Sequence, residues 1–288
     1  MISNPLDLRQ SPNYAVYLEK IGWQVEKTEG VQVFIRKIPL TPFSILKLQR
    51  PKHLPSPETI GKISRKYRAL FAYIEPDLDQ EPETSLYKKY GYKISKSPFL
   101  PTKTVVLDLN QSDYKLTRQL KKDTRLVLKK LRQKPDLKTL ICSQDDEILS
   151  FYRSWKKAAG WQLIIPAFKT IGSLKSSFSE KAIFLAAYQN KQSNIIAGTI
   201  ILLAGQTAYY FYAFTSKKGR RLLAQYGLVW EAIKIAKNKG CRNFDFEGIF
   251  DLRFPQKSWL GFSHFKKSFG GKEIGYPGCY RKNLLFGQ

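Results

Sequence analysis

The same order of predicted elements occurs twice along this chain of 288 residues. After Trp23, two β-rich segments flank the polar turn TEG, and a third segment, FSILKLQR, ends at Pro51. This run of three strands recurs in AIFLAAYQN, IIAGTIILLAG and TAYYFYAFTS, and is followed by a helix at about 222–239 and the strand RNFDFEG. The repeat predicts two α/β units of similar plan.

The two predicted units meet near residue 136. The N-terminal unit covers residues 1–136 and the C-terminal unit covers residues 137–288. A last strand signal, EIGYPGCY, falls within residues 273–288 and is compatible with either unit. Each unit is expected to contain a mixed, mostly antiparallel sheet flanked by helices, so the expected fold class is α/β (α+β).

Basic residues far outnumber acidic ones. The chain has 49 Lys and Arg against 23 Asp and Glu, which gives a formal net charge of +26. Its 43% of hydrophobic residues is enough for folded cores. A folded protein with this charge is expected to bind nucleic acid, an anionic membrane surface or a phosphorylated substrate. Composition alone leaves these three classes open.

Catalytic and metal-binding groups of the common kinds are scarce. The three cysteines, Cys142, Cys241 and Cys279, have no pairing or CxxC spacing, and the imidazoles are limited to His53 and His264. A disulfide framework, a zinc site and a Ser-His-Asp or Cys-His site are therefore not expected. The sequence also lacks a Walker A loop and a GxGxxG motif after a strand, and KKGRR lacks the small-residue spacing of an acetyl-CoA loop. We expect no metal and no cofactor.

The sequence contains no apolar run of the roughly 18–20 residues that a membrane-spanning helix needs. Its opening, MISNPLDLRQSPNY, lacks the basic and apolar regions of a signal peptide. Together with the scattered cysteines, these features predict a cytoplasmic protein.

The strongest charge run lies in one predicted helix. Ser112 is a suitable N-cap for a continuous helix that extends to about Gln133, and its predicted apolar stripe consists of Leu116, Leu120, Val127 and Leu131. Nine basic residues stand against Asp123 alone between positions 115 and 134. A charge run is usually a solvated surface, but this much uncompensated charge favours contact with nucleic acid. The candidate contact residues are Lys121, Lys122, Arg125, Lys129 and Lys130.

Near its end the chain contains GFSHFKKSFGG, a short basic helix closed by Gly270 and Gly271, followed by YPG and Tyr280. This motif resembles the closing motif of the FemABX family of aminoacyl-tRNA-dependent peptidoglycan bridge transferases. Further segments resemble family elements, in the family's order and over most of the chain: LRQSPNYAVYLEKIGW, QRP, AYIEP, PTKTVVLDL, YYFYAFTS and NFDFEG.

The resemblance implies a fold of two acetyltransferase-like (GNAT-like) domains and an aminoacyltransferase activity. Family members transfer an amino acid from the ester of a charged tRNA to a stem-peptide amine of a peptidoglycan precursor. Such an ester aminolysis requires an aligned amine and stabilisation of an oxyanion, so a site poor in His and Cys is compatible with it. A tRNA donor and a diphosphate-bearing acceptor also suit the basic charge.

The resemblance also implies roles for individual residues. Lys266 matches the family lysine beside the scissile ester, and Phe265 matches its partner. Glu75 matches a carboxylate that is expected to orient or deprotonate the incoming amine. The implied substrate-binding residues are Lys20, Trp23, Arg50 and Tyr212. The five basic residues of the predicted helix become the expected tRNA contacts.

Two features depart from the family. Ile165 and Lys169 stand where characterised members carry an arginine and a tyrosine, so either the acceptor's phosphates are held differently or the acceptor differs. The inserted coiled-coil arm of some members is missing, which leaves more of the tRNA contact to the basic helix.

These inferences predict a monomeric aminoacyltransferase that uses aminoacyl-tRNA and a nucleotide- or lipid-linked muropeptide. A lipid-linked acceptor would bring it to the anionic inner face of the membrane. Two alternatives stay open: a noncatalytic tRNA- or RNA-binding module, and a related aminoacyltransferase with another amine as its acceptor. The sequence does not identify the transferred amino acid.

Overall fold

The computed structural model of the protein describes residues 6–78, 80–134, 136–160, 165–189 and 195–284, and of residues 81–83 it describes the backbone alone. The chain divides into two compact units. The first comprises Met1–Thr104, Gly248–Leu260 and Ile274–Gln288, and the second comprises Val105–Glu247 and Gly261–Glu273.

This division differs from the predicted boundary at residue 136. The first crossing lies at Thr104, because the segment that follows it enters the second sheet and the basic helix packs on a helix of the second unit. Residues 248–260 and 274–288 return to the first unit. Strand pairing between distant segments therefore sets the division. It also splits the last strand signal, which the sequence left open: Lys272–Gly275 pairs in the second sheet and Tyr280–Asn283 pairs in the first.

The first unit contains a six-stranded sheet. Its strands are β1 (Gln24–Thr28), β2 (Val31–Lys37), β3 (Ser44–Gln49), β4 (Ala69–Glu75), β5 (Lys93–Ile94) and β13 (Tyr280–Asn283), in the order β1-β2-β3-β4-β13-β5. The β3–β4 pair is parallel and the other pairs are antiparallel. Between β1 and β2, Glu29 and Gly30 have φ values of +48° and +75°, as a two-residue type I′ turn requires.

Three helices belong to the first unit. They are α1 (Pro12–Lys20), α2 (Pro57–Lys66) and α3 (Glu81–Lys89). The hydroxyl oxygens of Ser11 and Ser56 accept hydrogen bonds from the N–H groups of Tyr14 and Thr59, and each serine precedes a proline in the first turn. A capping hydroxyl followed by proline therefore fixes both helix starts. The core that α2 covers includes the buried Leu46, Leu48, Ile60 and Ile74.

The second unit is built around a seven-stranded mixed sheet. Its strands are β6 (Lys103–Asp108), β7 (Leu137–Cys142), β8 (Ala182–Gln189), β9 (Ile195–Ala204), β10 (Thr207–Thr215), β11 (Asn243–Gly248) and β12 (Lys272–Gly275), in the order β12-β6-β11-β10-β9-β8-β7. Neighbours from β7 to β10 are antiparallel, whereas β10 and β11 are parallel. The predicted second run of three strands is β8 to β10.

Seven further helices follow the first three. They are α4 (Asp113–Gln119), α5 (Lys122–Arg132), α6 (Asp145–Ala159), α7 (Phe168–Phe178), α8 (Lys217–Arg221), α9 (Ala224–Asn238) and α10 (Leu260–Lys267). No helix within the described part of the chain combines the length and apolar composition that crossing a bilayer requires.

The predicted continuous basic helix is two helices. Leu120 has an extended backbone (φ −57°, ψ 140°) and a buried side chain, which ends α4. The N–H group of Lys121 then donates to the carbonyl oxygen of Ser268 at 2.9 Å, so a long-range hydrogen bond replaces a helical one. The predicted stripe placed Val127 and Leu131 on the buried side of this helix. After the break, the buried positions of α5 are Thr124 and Leu128.

Aromatic rings fill the core between α6 and the second sheet. The ring of Phe151 lies edge-on to Phe184 at 5.5 Å and to Phe214 at 5.1 Å between centroids. Gly198 on β9 leaves space for them, because a Cβ atom there would lie 2.3 Å from Phe214 and 2.6 Å from Phe151. This position therefore excludes any side chain.

We expect Gly198→Ala to lower the free energy of unfolding by about 1–3 kcal/mol, because overpacked aromatic rings must move. The matched control is Gly172→Ala on α7, where an added Cβ meets nothing within 4 Å. That change should stabilise the protein by up to about 1 kcal/mol through helix propensity. Chemical denaturation measures both variants, and equal effects would contradict the packing described for Gly198.

Candidate active site

The adjacent lysines at the end of α10 have different surroundings. Lys266 is only 9% exposed, whereas Lys267 reaches the surface and its Nζ lies 2.5 Å from the carboxylate of Glu273. Helical geometry turns neighbouring side chains by about 100°, so only one of the two can face inward. The structure buries Lys266, the lysine that the resemblance selected.

Aromatic rings and carboxylates surround the ammonium group of Lys266. Its Nζ lies 5.0 Å from the ring centroid of Phe262, one turn earlier on α10, and 5.7 Å from that of Tyr210 on β10. The carboxylates of Asp245 and Glu247 on β11 act on it electrostatically. The site thus combines one cation with two anions in a largely dry environment.

The alternation of β11 explains why two carboxylates meet this lysine. Asp245 and Glu247 are two residues apart and share one face of the strand, while Phe244 and Phe246 are fully buried on the other face. The side chain of Asp245 also accepts the N–H group of Glu247 at 2.7 Å, where the backbone has a φ of +59°. The sequence NFDFEG therefore encodes a core face and a charged face.

Burial lowers the pKa of Lys266 to about 8, and Glu247 and Asp245 oppose that shift. The group is therefore still mainly an ammonium ion at neutral pH, close to its titration. Such a cation in a site of low dielectric can stabilise a developing oxyanion more strongly than an exposed lysine can.

Phe265 lies beside Lys266 in the sequence but contacts a different group of residues. Its ring is 4.8 Å from that of Tyr226 on α9 and 5.3 Å from that of Phe269. These contacts anchor α10 to α9. The described contacts of Phe265 thus hold the helix that carries Lys266.

A β-bulge separates the directions of two tyrosines on β10. The pairing with β9 shifts between Tyr210 and Tyr212, so the two side chains do not share a face although they are two residues apart. Tyr210 accepts a hydrogen bond from Gln225 on α9 and lies near Lys266, whereas the ring of Tyr212 lies 5.2 Å from Trp155 on α6. Simple strand alternation does not identify Tyr210 as the tyrosine near Lys266.

Glu75, predicted to handle the amine proton, is held in the first unit by three hydrogen bonds. It accepts from the side chain of Gln49 at 2.6 Å and from the N–H groups of Phe99 and Leu100 at 2.8 and 2.7 Å. The residue is 1% exposed. These contacts fix Glu75 to the loop before β6 and occupy three of the acceptor positions on its two carboxylate oxygens.

Lys47 on β3 is a site residue that sequence reasoning missed. Its Nζ lies 3.4 Å from the ring centroid of Phe99 and 4.9 Å from that of Trp23. Burial lowers its pKa to about 8, and the nearby Glu75 opposes that shift. The sequence of β3 does not indicate that its lysine is buried, since the rings of Trp23 and Phe99 that cover it come from other parts of the chain.

The remaining predicted substrate-binding residues of the first unit differ in their surroundings. Trp23 is half-buried, with Arg36 5.5 Å and Lys47 4.9 Å from its ring, and Lys20 is exposed at the end of α1. Arg50 is buried, and its guanidinium donates to the carbonyl oxygens of Pro76 and Pro101, both at 2.6 Å. The described contacts therefore make Arg50 a structural bridge between loops.

The predicted nucleic-acid contacts all lie on one exposed surface of the second unit. Four belong to α5 and one is its N-cap, and all of them are exposed: Lys121, Lys122, Arg125, Lys129 and Lys130. The buried Thr124 and Leu128 hold α5 on the unit, so the cationic side chains point to solvent.

The fold matches solved structures over nearly the whole chain. A crystal structure of FemX is 16% identical with a TM-score of 0.77, covering 98% of this chain and 95% of that one. The L-PGS structure from Bacillus licheniformis is 12% identical with a TM-score of 0.61, covering 98% and 93%. A tandem GNAT protein from the clavulanic acid biosynthesis pathway is 10% identical with a TM-score of 0.54, covering 89% and 80%. The predicted class, a tandem GNAT-like fold, is confirmed.

The FemAB family model matches residues 167–284, a range that contains Tyr212, β11 and Lys266. No curated protein sequence matches the chain significantly. The family match, together with the FemX-like fold, confirms the predicted resemblance to the FemABX family.

We expect lysine-selective ¹⁵N NMR to detect the side-chain amines of Lys266 and Lys47 with a pKa of about 8. Lys266→Met should remove the first signal and Lys47→Met the second. Glu247→Gln should move the Lys266 midpoint to lower pH, because the lost carboxylate favours the charged form. The Lys47 midpoint is the internal control. A Lys266 midpoint near the ordinary value of 10.5 would contradict its burial.

Proposed function

We propose that the protein transfers an amino acid from aminoacyl-tRNA to an amine of a peptidoglycan precursor. The observation that carries this proposal is the buried Lys266, flanked by Asp245 and Glu247, inside the part of the chain that the FemAB model matches. The family match supports aminoacyl transfer as the reaction class. The arrangement of charges around Lys266 supports its site.

The chemistry is the aminolysis of an ester. The acceptor amine attacks the carbonyl carbon, a C–N bond forms, the C–O bond to the terminal ribose of the tRNA breaks, and the amine proton ends on the ribose oxygen. After the C–N bond forms and before the C–O bond breaks, negative charge accumulates on the carbonyl oxygen. We assign Lys266 to stabilise that charge, since its desolvated ammonium provides a preorganised donor.

We assign Glu75 a positioning role in place of the predicted proton transfer. Its carboxylate holds the N–H groups of Phe99 and Leu100, and this fixes the Phe99 ring against Lys47. In this assignment the amine proton is passed within the substrates, while three buried donors hold the carboxylate of Glu75 in place.

We assign the anionic part of the acceptor to the first unit. Lys47 and Arg36 both lie near the indole of Trp23, so a phosphate at this ring would meet two cations. Where family members carry an arginine and a tyrosine, this chain has Ile165, which is half-buried, and Lys169, which is exposed on α7. Lys47 and Arg36 are proposed to supply the positive charge that the missing arginine would provide. Lys20 and Tyr212 remain proposed substrate contacts.

A noncatalytic RNA-binding module is the second candidate, and the exposed cations of α5 favour it. Incubation of the protein with a mixture of charged tRNAs and either nucleotide-linked or lipid-linked precursor separates the two. Mass spectrometry of the precursor should show the mass of one or more added amino acids. Unmodified precursor with every donor and acceptor, despite tRNA binding, would favour the binding module.

We expect Lys266→Met to reduce single-turnover transfer by about 10²–10³-fold, because an oxyanion donor is lost. Lys267→Met is the matched control and should have little effect, since Lys267 pairs with Glu273 at the surface. Both variants should keep the wild-type fold and tRNA affinity. Equal and small losses in the two variants would remove the catalytic role of Lys266.

We expect α5 to supply most of the electrostatic binding to tRNA. Five phosphate contacts predict a slope of log affinity against log salt of about −3.5 to −4.5, at roughly −0.7 to −0.9 per contact. A variant with glutamate at the N-cap of α5 and at three α5 positions should bind weakly, with a slope no steeper than about −1. The four positions are Lys121, Lys122, Lys129 and Lys130.

The control for this variant carries the same change of charge on exposed lysines of the first unit. These are Lys27, Lys37, Lys52 and Lys62. It should retain most of the affinity and the salt slope. If the folded α5 variant binds tRNA like the wild type, α5 is a solvated surface without a role in RNA binding.

A further inference from the structure

A large groove lies in the second unit, between α5, α9 and the strands β7 and β8. Its volume is about 550 Å³, within the range of ligand-binding sites. Its apolar lining comes from Leu128, Leu131, Leu137, Ile141, Leu185, Ala187, Ala224, Gly227, Trp230 and Ile235. Neither the reaction proposed above nor the exposed cations of α5 account for it.

The groove exists because β7 is the edge strand of the sheet and α9 covers mainly its neighbours β8 and β9. Alternate residues of β7 face the groove, and the last of these, Ile141, is 50% exposed. An exposed apolar surface bordered by charged residues is typical of an interaction site.

The charged residues at the groove identify the chemistry of its occupant. Arg132 and Lys134 line it near the end of α5. Among the described lining residues the acid is Glu231, which pairs with Lys234 at 2.6 Å. The groove therefore combines apolar side chains with two cations, which complements an amphiphile with an apolar chain and an anionic head.

We propose that this groove binds one acyl chain of an anionic membrane phospholipid, with the headgroup phosphate beside Arg132 and Lys134. One inserted chain binds a membrane only marginally, but a chain and a basic patch together give stable attachment. Arg132 and Lys134 at the rim provide that basic partner for the chain. The proposal stands independently of the transfer reaction.

Trp230 gives a direct test because its side chain lines the groove. Vesicles of phosphatidylcholine with 30% phosphatidylglycerol brominated on its acyl chains should quench tryptophan fluorescence of the full-length protein. Trp230→Phe should remove most of that quenching at a vesicle concentration at which sedimentation shows both proteins to be fully bound. Quenching that is unchanged in this variant would overturn the proposal.

Neighbouring residues on β7 provide a matched pair for the acyl contact. Ile141 lines the groove, whereas Leu140 is equally exposed, at 52%, on the opposite face of the strand. Ile141→Gln should weaken binding to the anionic vesicles about ten-fold, and Leu140→Gln should leave it unchanged. Equal effects of the two substitutions would overturn insertion at this groove.

Neutralising the rim tests the headgroup contact. The double variant Arg132→Gln, Lys134→Gln should bind anionic vesicles roughly 25-fold more weakly, at about five-fold per charge. The control Lys156→Gln, Lys157→Gln makes the same charge change on α6 and should have little effect. Rim variants that lose tRNA affinity but keep wild-type lipid quenching would assign the rim to RNA and overturn the proposal.

Discussion

The proposed chemistry of the second unit depends on the burial of one charge, the ammonium group of Lys266. A charge moved out of water needs opposite charges and polar partners close to it. β11 supplies both carboxylates from one face, while its other face places Phe244 and Phe246 in the core. One strand of six residues therefore joins the hydrophobic core to the proposed chemistry, and the lowered pKa of Lys266 is the electrostatic result.

The position of α10 follows from contacts with distant segments of the same unit. Phe265 packs on Tyr226, and the carbonyl oxygen of Ser268 accepts the N–H group of Lys121. Gly271 has a φ of +92°, and a Cβ there would lie 2.6 Å from the carbonyl oxygen of Val106. Glycine is required for this approach. The hydrogen bond to Ser268 that breaks the basic helix thus also fixes the end of the helix that carries Lys266.

The two units share a chemical feature as well as a plan. Each contains a buried lysine, Lys266 in the second unit and Lys47 in the first. Burial lowers the pKa of each lysine to about 8, and a nearby carboxylate opposes that shift. The carboxylate partners differ in kind. Glu75 is itself fixed by backbone donors, whereas β11 presents its carboxylates from a strand face. In the proposed reaction one lysine meets the ester and the other meets the anionic acceptor.

Local sequence determined the repeated strands and the helix starts at Ser11 and Ser56, because caps and periodicity act over a few residues. The family resemblance selected Lys266 over its neighbour Lys267, and the burial of Lys266 agrees with that choice. Tertiary structure decided the unit boundary at Thr104, the surroundings of Lys47 and the hydrogen bonds that fix Glu75. Each of these depends on groups far apart in the chain that meet only after strands pair. Leu120 illustrates the limit: its local pattern favours a continuous helix, and the hydrogen bond from its neighbour to Ser268 prevents it.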